Sequence, residues 1–100
     1  MNNITKVSEI TANDVAEYLR LPEVSEDDTR LIEALMLTAK AFICSDTGIA
    51  EDKLDDYKDF IIVVFVLCQD MWDNRTLYVD SSNLSYPIQS ILGRHPRNLL

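Results

Sequence analysis

Five carboxylates lie within a nine-residue stretch in the middle of the chain, and they are the side chains here best suited to chemistry. They are Glu51, Asp52, Asp55, Asp56 and Asp59. Two DxxD spacings within the stretch would place pairs of carboxylates on one face of a helix, and Glu23 with Glu26 forms an ExxE pair further upstream. Carboxylate oxygens on neighbouring helical turns are suitable ligands for Mg²⁺. The stretch is therefore the candidate enzymatic site of this sequence.

The same five carboxylates also have a simpler explanation. Acidic residues gather near helix N-termini because the helix dipole favours them there, and Lys53 and Lys58 lie among them. We therefore interpret the stretch as a solvated acidic surface. A magnesium-dependent, all-α nucleotide pyrophosphatase is the enzymatic alternative. We expect no catalytic residue, no metal site and no cofactor.

The remaining reactive side chains give little sign of chemistry. His95 stands between Arg94 and Pro96, where we expect nothing to orient it as a base. Cys44 and Cys68 lie in apolar contexts without a CxxC spacing, so we predict reduced core cysteines of a cytosolic protein. The N-terminal residues lack the apolar region of a signal peptide.

A cluster of interface-type residues follows the acidic stretch. Trp72, Arg75 and Tyr78 are of the types that dominate binding hot spots; alternatively, Trp72 closes the core. With Arg94 and Arg97 they form the candidate subunit or partner interface. The formal net charge of −8 argues against a domain that grips DNA or RNA, which needs clustered Lys and Arg. Residues 74–100 nevertheless carry three arginines against one aspartate, so we expect an acidic body with a basic tail.

Capping signals predict the elements that position these residues. Thr11 and Ser25 each stand three residues before an aspartate, which is the pattern of a capping box, while Pro22 and Gly48 favour helix ends. We predict an all-α fold in which a small bundle of three main helices is followed by a loop or short extended arm and a short C-terminal helix. The predicted segments are a lead at 1–9, a helical domain at 10–93 with helices at about 11–21, 25–45, 52–73 and 87–92, and a flexible basic tail at 94–100.

The third predicted helix contains the most apolar stretch of the chain. From Leu54 to Trp72, apolar residues recur at helical spacing without Gly or Pro, which favours a helix of about 20 residues over a strand. The uninterrupted apolar run from Phe60 to Cys68 is much shorter than the roughly 20 residues of a membrane-spanning helix. Because the middle turns are apolar on both faces, we expect flanking segments or a second subunit to cover them.

The order of these pieces resembles the head-tail connector proteins of long-tailed double-stranded DNA bacteriophages and their prophages, which are also termed head completion or adaptor proteins. The resemblance is carried by ITANDVAEYLRL, SEDDTRLIEALMLTAKAFI, SDTG and IIVVFVLCQDMWDNR, and it covers roughly residues 10–95, including PIQSIL. The chain departs from many relatives at Cys68, Gln69 and Asp70, and it lacks a proline before the third helix.

The resemblance implies a non-enzymatic adaptor that assembles as a homo-oligomeric ring beneath the portal, extends the DNA channel and joins head to tail. Its partners would be the portal protein and a further head-tail joining protein, with DNA as passing cargo and no membrane. Its location would be the virion neck, after assembly in the host cytoplasm. The acidic stretch would then line the channel and repel DNA phosphates. A small helical interaction module, such as an antitoxin-like regulator, is the alternative.

Overall fold

The computed structural model describes residues 4–95, and helices dominate that range. The α-helices are α1 (Ala12–Tyr18), α2 (Glu26–Thr47), α3 (Asp59–Asn74) and α4 (Tyr86–Gly93), and 3-10 helices occupy Val7–Glu9, Glu51–Asp56 and Ser81–Asn83. No strand occurs within residues 4–95, which confirms the predicted all-α class. The segment between α3 and α4 is a loop with one 3-10 turn, as one form of the prediction has it.

Local capping residues start α1 and α2 as predicted. The Thr11 hydroxyl accepts a hydrogen bond from the Asp14 N–H at 3.1 Å, and the Thr11 N–H donates to Asp14 Oδ2 at 2.9 Å. Ser25 and Asp28 repeat this reciprocal arrangement at the start of α2, at 3.0 and 3.2 Å. Each pair satisfies backbone donors that the first helical turn leaves free.

The end of α1 lies earlier than predicted, at Tyr18 rather than residue 21. Arg20 has a left-handed backbone with φ of 61°. The N–H of Leu21 reaches back to the carbonyl oxygen of Ala16 at 3.1 Å, which is the Schellman arrangement. A left-handed arginine therefore terminates this helix before Pro22 is reached.

Left-handed residues also terminate α2 and α3. Gly48 has φ of 77° and caps α2, as predicted. The last residue of α2 is Thr47, two residues beyond the predicted end at residue 45. Arg75 has φ of 54° and caps α3, while the Thr76 N–H donates to the carbonyl oxygen of Met71 at 3.0 Å. The chain thus places arginine twice in a conformation that glycine adopts more easily.

The third predicted helix is interrupted, so a continuous helix over residues 52–73 is wrong. Glu51–Asp56 forms a 3-10 helix, and Tyr57 after it has extended backbone, with φ of −126° and ψ of 100°. Leu54 and Phe60 are 1% and 0% exposed. A continuous α-helix would set these two side chains about 120° apart around its axis, whereas the break lets both face the core.

The core forms around α3, and the chain itself covers this apolar helix. Its buried side chains are Phe60, Val63, Val64, Phe65, Leu67, Cys68 and Met71. Helices α1, α2 and α4 all pack against α3, and so does the 3-10 helix Val7–Glu9. Val7 is 2% exposed, so the predicted N-terminal lead contributes to the core. Of the two coverings expected for this helix, folding back of the flanking segments is confirmed.

Helix α4 runs antiparallel to α3 and differs from its prediction in detail. It begins at Tyr86, so Pro87 is its second residue, and it includes Gly93. His95 beyond it lies against the first turn of α3. The molecule measures 46 × 29 × 20 Å, and we name its two ends the Asp59 end and the Arg75 end after the two termini of α3. None of the described helices is long and apolar enough to span a membrane.

Candidate interaction surfaces

The acidic stretch lies at the Asp59 end, where two of its five carboxylates hold neighbouring elements. Asp55 accepts hydrogen bonds from the N–H and the hydroxyl of Ser8, at 2.8 and 2.7 Å. These hydrogen bonds lower the pKa of Asp55 below its ordinary value. Because Ser8 lies in the first 3-10 helix, the contact ties that helix to Glu51–Asp56.

Asp59 is the second carboxylate of the stretch that holds a neighbouring element. Nε2 of His95 lies 3.1 Å from Oδ2 of Asp59, and both side chains are largely shielded from solvent, at 20% and 29% exposure. The His95 ring also meets the rings of Tyr57 and Phe60 edge-on, with centroid distances of 4.7 and 4.9 Å. The expectation that nothing orients His95 is therefore wrong. No local sequence signal indicated this contact, because it joins residues 36 positions apart.

The break at Tyr57 separates Asp56 from Asp59, so this DxxD pair does not lie on one continuous helix, as the alternative of paired metal ligands assumed. Asp52 and Asp55 lie in the 3-10 helix, while Asp59 lies in α3 beyond the extended residue Tyr57. Within residues 4–95, no group of three His, Cys, Asp or Glu side chains is placed to hold a metal ion. Glu51, Asp52 and Asp56 are exposed. These three residues remain as the acidic surface, and we call them the acidic triad.

The cluster predicted around Trp72 lies at the Arg75 end, and its members differ in exposure. Trp72 is half-buried and packs against the core, which supports its role in closing the core. Tyr78 is 63% exposed, and Arg75 is exposed at the left-handed cap of α3. Leu77 and Tyr86 nearby are 58% and 80% exposed. Large apolar side chains therefore remain in solvent around the loop that joins α3 to α4.

Residues 96–100 of the predicted flexible basic tail lie outside the described residues, and the described arginines of the predicted interface lie far apart. Arg75 lies at one terminus of α3, whereas Arg94 caps α4 beside the other terminus. The 16 residues of α3 separate the two termini by about 24 Å. Arg97 lies outside the described residues. Arg75 and Arg94 thus lie at opposite termini of α3, and the residues predicted for the interface occupy two separate positions.

A groove of about 280 Å³ opens at the Arg75 end, between α3 and the loop that follows it. Its apolar walls include Leu67 and Met71 of α3 and Val79 and Leu84 of the loop. Two carboxylates also line it, Asp70 from α3 and Asp80 from the loop. The sequence prediction missed this groove, because it forms where residues separated along the chain come together.

The two groove carboxylates have different surroundings. Asp80 accepts hydrogen bonds from the N–H and hydroxyl of Ser82, at 3.1 and 2.6 Å, and from the Asn83 side chain, at 2.6 Å. These contacts lower the pKa of Asp80. Burial and the negative charge of Asp73 instead raise the pKa of Asp70. The carboxylate of Asp80 thus has hydrogen-bond partners within its own turn, whereas the carboxylate of Asp70 is partly desolvated beside the like charge of Asp73.

Both cysteines are free, as predicted, but they are not equally buried. Cys68 is fully buried, and burial raises the pKa of its thiol to about 12. Cys44 is half-buried at the edge of the core. Its pKa is raised by burial and then by the charge of Glu51. Neither thiol has the lowered pKa of a reactive cysteine.

The chain was compared with protein-family models, curated proteins and solved structures, and none of the three comparisons gave a match.

Proposed function

We propose that the protein is a structural, non-enzymatic adaptor of a phage neck, which assembles as a ring under the portal, extends the DNA channel and joins head to tail. The observation that carries this proposal is the order and length of the helices. A short capped helix, a long helix stopped by Gly48, an apolar helix ending in MWDNR and a short C-terminal helix occur in that order. This is the layout of the connector proteins that the sequence resembles.

The covering of α3 within one chain supports assembly from subunits that are already folded. Helix α3 is covered within the chain, so a copy can fold before it meets another. Three exposed apolar side chains, Leu77, Tyr78 and Tyr86, lie in or beside the α3–α4 loop at the Arg75 end, while Leu31 and Leu37 are exposed on α2. A ring needs a heterologous interface, in which one surface of a copy meets a different surface of the next. An elongated subunit whose two ends differ in chemistry meets that requirement.

The acidic triad supports a channel wall. Glu51, Asp52 and Asp56 are exposed together on one short 3-10 helix, and negative charge there repels DNA phosphates. In a ring this charge repeats in every copy. A wall of that kind lets DNA pass without binding it, as expected for cargo.

The first test is the native mass of the purified protein over a wide concentration range, with electron micrographs of any large species. Closed rings are expected, either from the protein alone or after addition of the portal protein. A discrete dimer at every concentration, unchanged by the portal, favours the alternative of an antitoxin-like regulatory module. A monomer that remains a monomer with the portal present contradicts the adaptor.

A further inference from the structure

The groove at the Arg75 end combines apolar walls with a carboxylate that forms no ion pair with any residue of the described range 4–95. Leu67 and Met71 are almost fully buried at its base, and Val79 and Leu84 pack beside them. Asp70 stands at the wall of the groove, and the partial burial and the like charge of Asp73 both disfavour its ionised form. A cation bound in the groove would favour the ionised form of Asp70 and so oppose both effects.

This chemistry selects a short segment with one cation and adjoining aliphatic side chains. Arginine is the best cation for such a position, because its guanidinium is weakly hydrated and binds carboxylates in a planar, paired geometry. The chain contains such a segment at residues 96–100, whose sequence is PRNLL. Arg97 is complementary to Asp70, and Leu99 and Leu100 are complementary to the apolar walls.

Distance along the chain decides which copy supplies the segment. His95 is fixed against Asp59 at the start of α3, whereas the groove contacts α3 at Asp70 and Asn74. These positions are 11 and 15 residues from Asp59, which corresponds to about 16 and 22 Å along the helix. Arg97 follows His95 by two residues, or roughly 7 Å of extended chain, and its side chain adds a similar length. An Arg97–Asp70 pair within one copy would therefore need a fully extended path along α3, whereas a second copy can present the segment without that constraint.

We propose that the groove between α3 and the α3–α4 loop binds residues 96–100 of a second copy, with Arg97 of that copy paired to Asp70. The inference rests on the proposed ring and deepens it by naming the contact between copies. The donating segment follows the Asp59 end and the accepting groove lies at the Arg75 end. The contact is therefore heterologous and joins copies head to tail, which is the type of interface that closes rings.

The test uses the full chain in sedimentation velocity, with charge reversals at the two partners. Asp70→Lys blocks the groove and leaves the segment intact, while Arg97→Glu does the opposite. Each variant alone should associate at least about tenfold more weakly than wild type, because like charges then face each other. A mixture of the two variants should recover larger species, because every contact between one variant and the other again joins opposite charges. The chain carrying both reversals should recover assembly.

Matched controls separate this contact from general charge effects. Glu33→Lys reverses the charge of an exposed carboxylate of α2 outside the groove, and Lys58→Glu reverses the charge of an exposed lysine at the Asp59 end. Both controls should assemble as wild type does. Circular dichroism checks the fold of each variant, and Asp70→Asn replaces Asp70→Lys if lysine disturbs α3.

Three results overturn the inference: a wild type that stays monomeric at every concentration, reversals that assemble like wild type, or a mixture that stays monomeric. Rings that form equally well with Asp70→Lys and Arg97→Glu would support the adaptor and contradict the proposed contact. Head-to-tail association that depends on both residues would support the contact. If the same protein never binds a portal, the adaptor function is contradicted.

Discussion

The side chains of His95 and Asp59 join the last described turn of the chain to the first turn of α3, with Nε2 of His95 3.1 Å from Oδ2 of Asp59. Tyr57 and Phe60 enclose the imidazole edge-on. The contact therefore combines a polar pair with aromatic packing. It holds the end of α4 beside the start of α3 and fixes the point from which residues 96–100 leave the described fold.

Replacing His95 with alanine is expected to lower the free energy of unfolding by about 1 kcal/mol, since one partly buried hydrogen bond and one aromatic contact are lost. Urea unfolding followed by circular dichroism measures the change. Arg94→Ala is the matched control, because that side chain is exposed on the neighbouring residue. Equal stabilities of the two variants would show that the His95 contact does not stabilise the fold.

The Ser8–Asp55 contact predicts a pH-dependent contribution to stability. Hydrogen bonds from Ser8 lower the pKa of Asp55 below its ordinary value of 3.8. A carboxyl group with a lowered pKa in the folded state stabilises that state above its unfolded pKa, and the contribution is lost as pH falls through the folded pKa. Ser8→Ala should therefore lower Tm at neutral pH, and the difference from wild type should shrink below pH 3.8.

Thermal melts of wild type and Ser8→Ala across this pH range measure that difference. Asp55→Asn is the control, because it removes the titrating group. In a chain that already carries Asp55→Asn, adding Ser8→Ala should change Tm by the same amount at every pH. A difference in Tm between wild type and Ser8→Ala that stays constant down to the most acidic pH would contradict the predicted pH dependence.

The two cysteines are expected to react with a thiol reagent at different rates. Cys68 is fully buried with a pKa of about 12, so its thiolate is scarce and inaccessible. Cys44 is half-buried with a raised pKa, so it should react more slowly than free cysteine and still faster than Cys68. Timed labelling of Cys44→Ala and Cys68→Ala, in buffer and in urea, assigns each rate. Labelling of Cys68 in buffer as fast as in urea would contradict its burial.

Local signals in the sequence were enough to predict several features of the fold. The capping pairs Thr11 with Asp14 and Ser25 with Asp28 act over three residues, and Gly48 acts through its own backbone freedom. Such features depend on short-range physics, so the residues alone indicate them. The apolar spacing of residues 60–72 likewise predicted the central helix.

Other features depended on contacts between distant segments and were missed. The break at Tyr57 follows from burying Leu54 and Phe60 together, and acids at DxxD spacing fit a 3-10 helix as well as an α-helix. Left-handed arginines end α1 and α3 at positions where glycine is the usual signal. The groove beside Asp70 forms only when the α3–α4 loop packs against α3, and the contact of His95 forms only when the end of α4 lies beside the start of α3.

The acidic triad predicts an effect on DNA passage if it lines the channel. Glu51→Lys, Asp52→Lys and Asp56→Lys together should slow DNA ejection from particles that contain the variant, because lysines attract the phosphates that the carboxylates repel. The matched control changes three other exposed acids to lysine, at Glu17, Glu33 and Asp46. Equal ejection rates for the two triple variants would place the channel wall elsewhere.

Arg75 and Arg20 form a matched pair for testing the interface at the Arg75 end. Both are exposed arginines with left-handed backbone, φ of 54° and 61°, so glycine should relieve similar backbone strain at each and stabilise the fold by up to about 1 kcal/mol. Their surroundings differ, because Arg75 adjoins the exposed Leu77 and Tyr78 beside the groove. Arg75→Gly should therefore weaken association between copies, while Arg20→Gly should leave it unchanged. Tm and sedimentation velocity measured on both variants separate the two effects. Unchanged association of Arg75→Gly, together with raised stability, would assign this arginine to the helix cap alone.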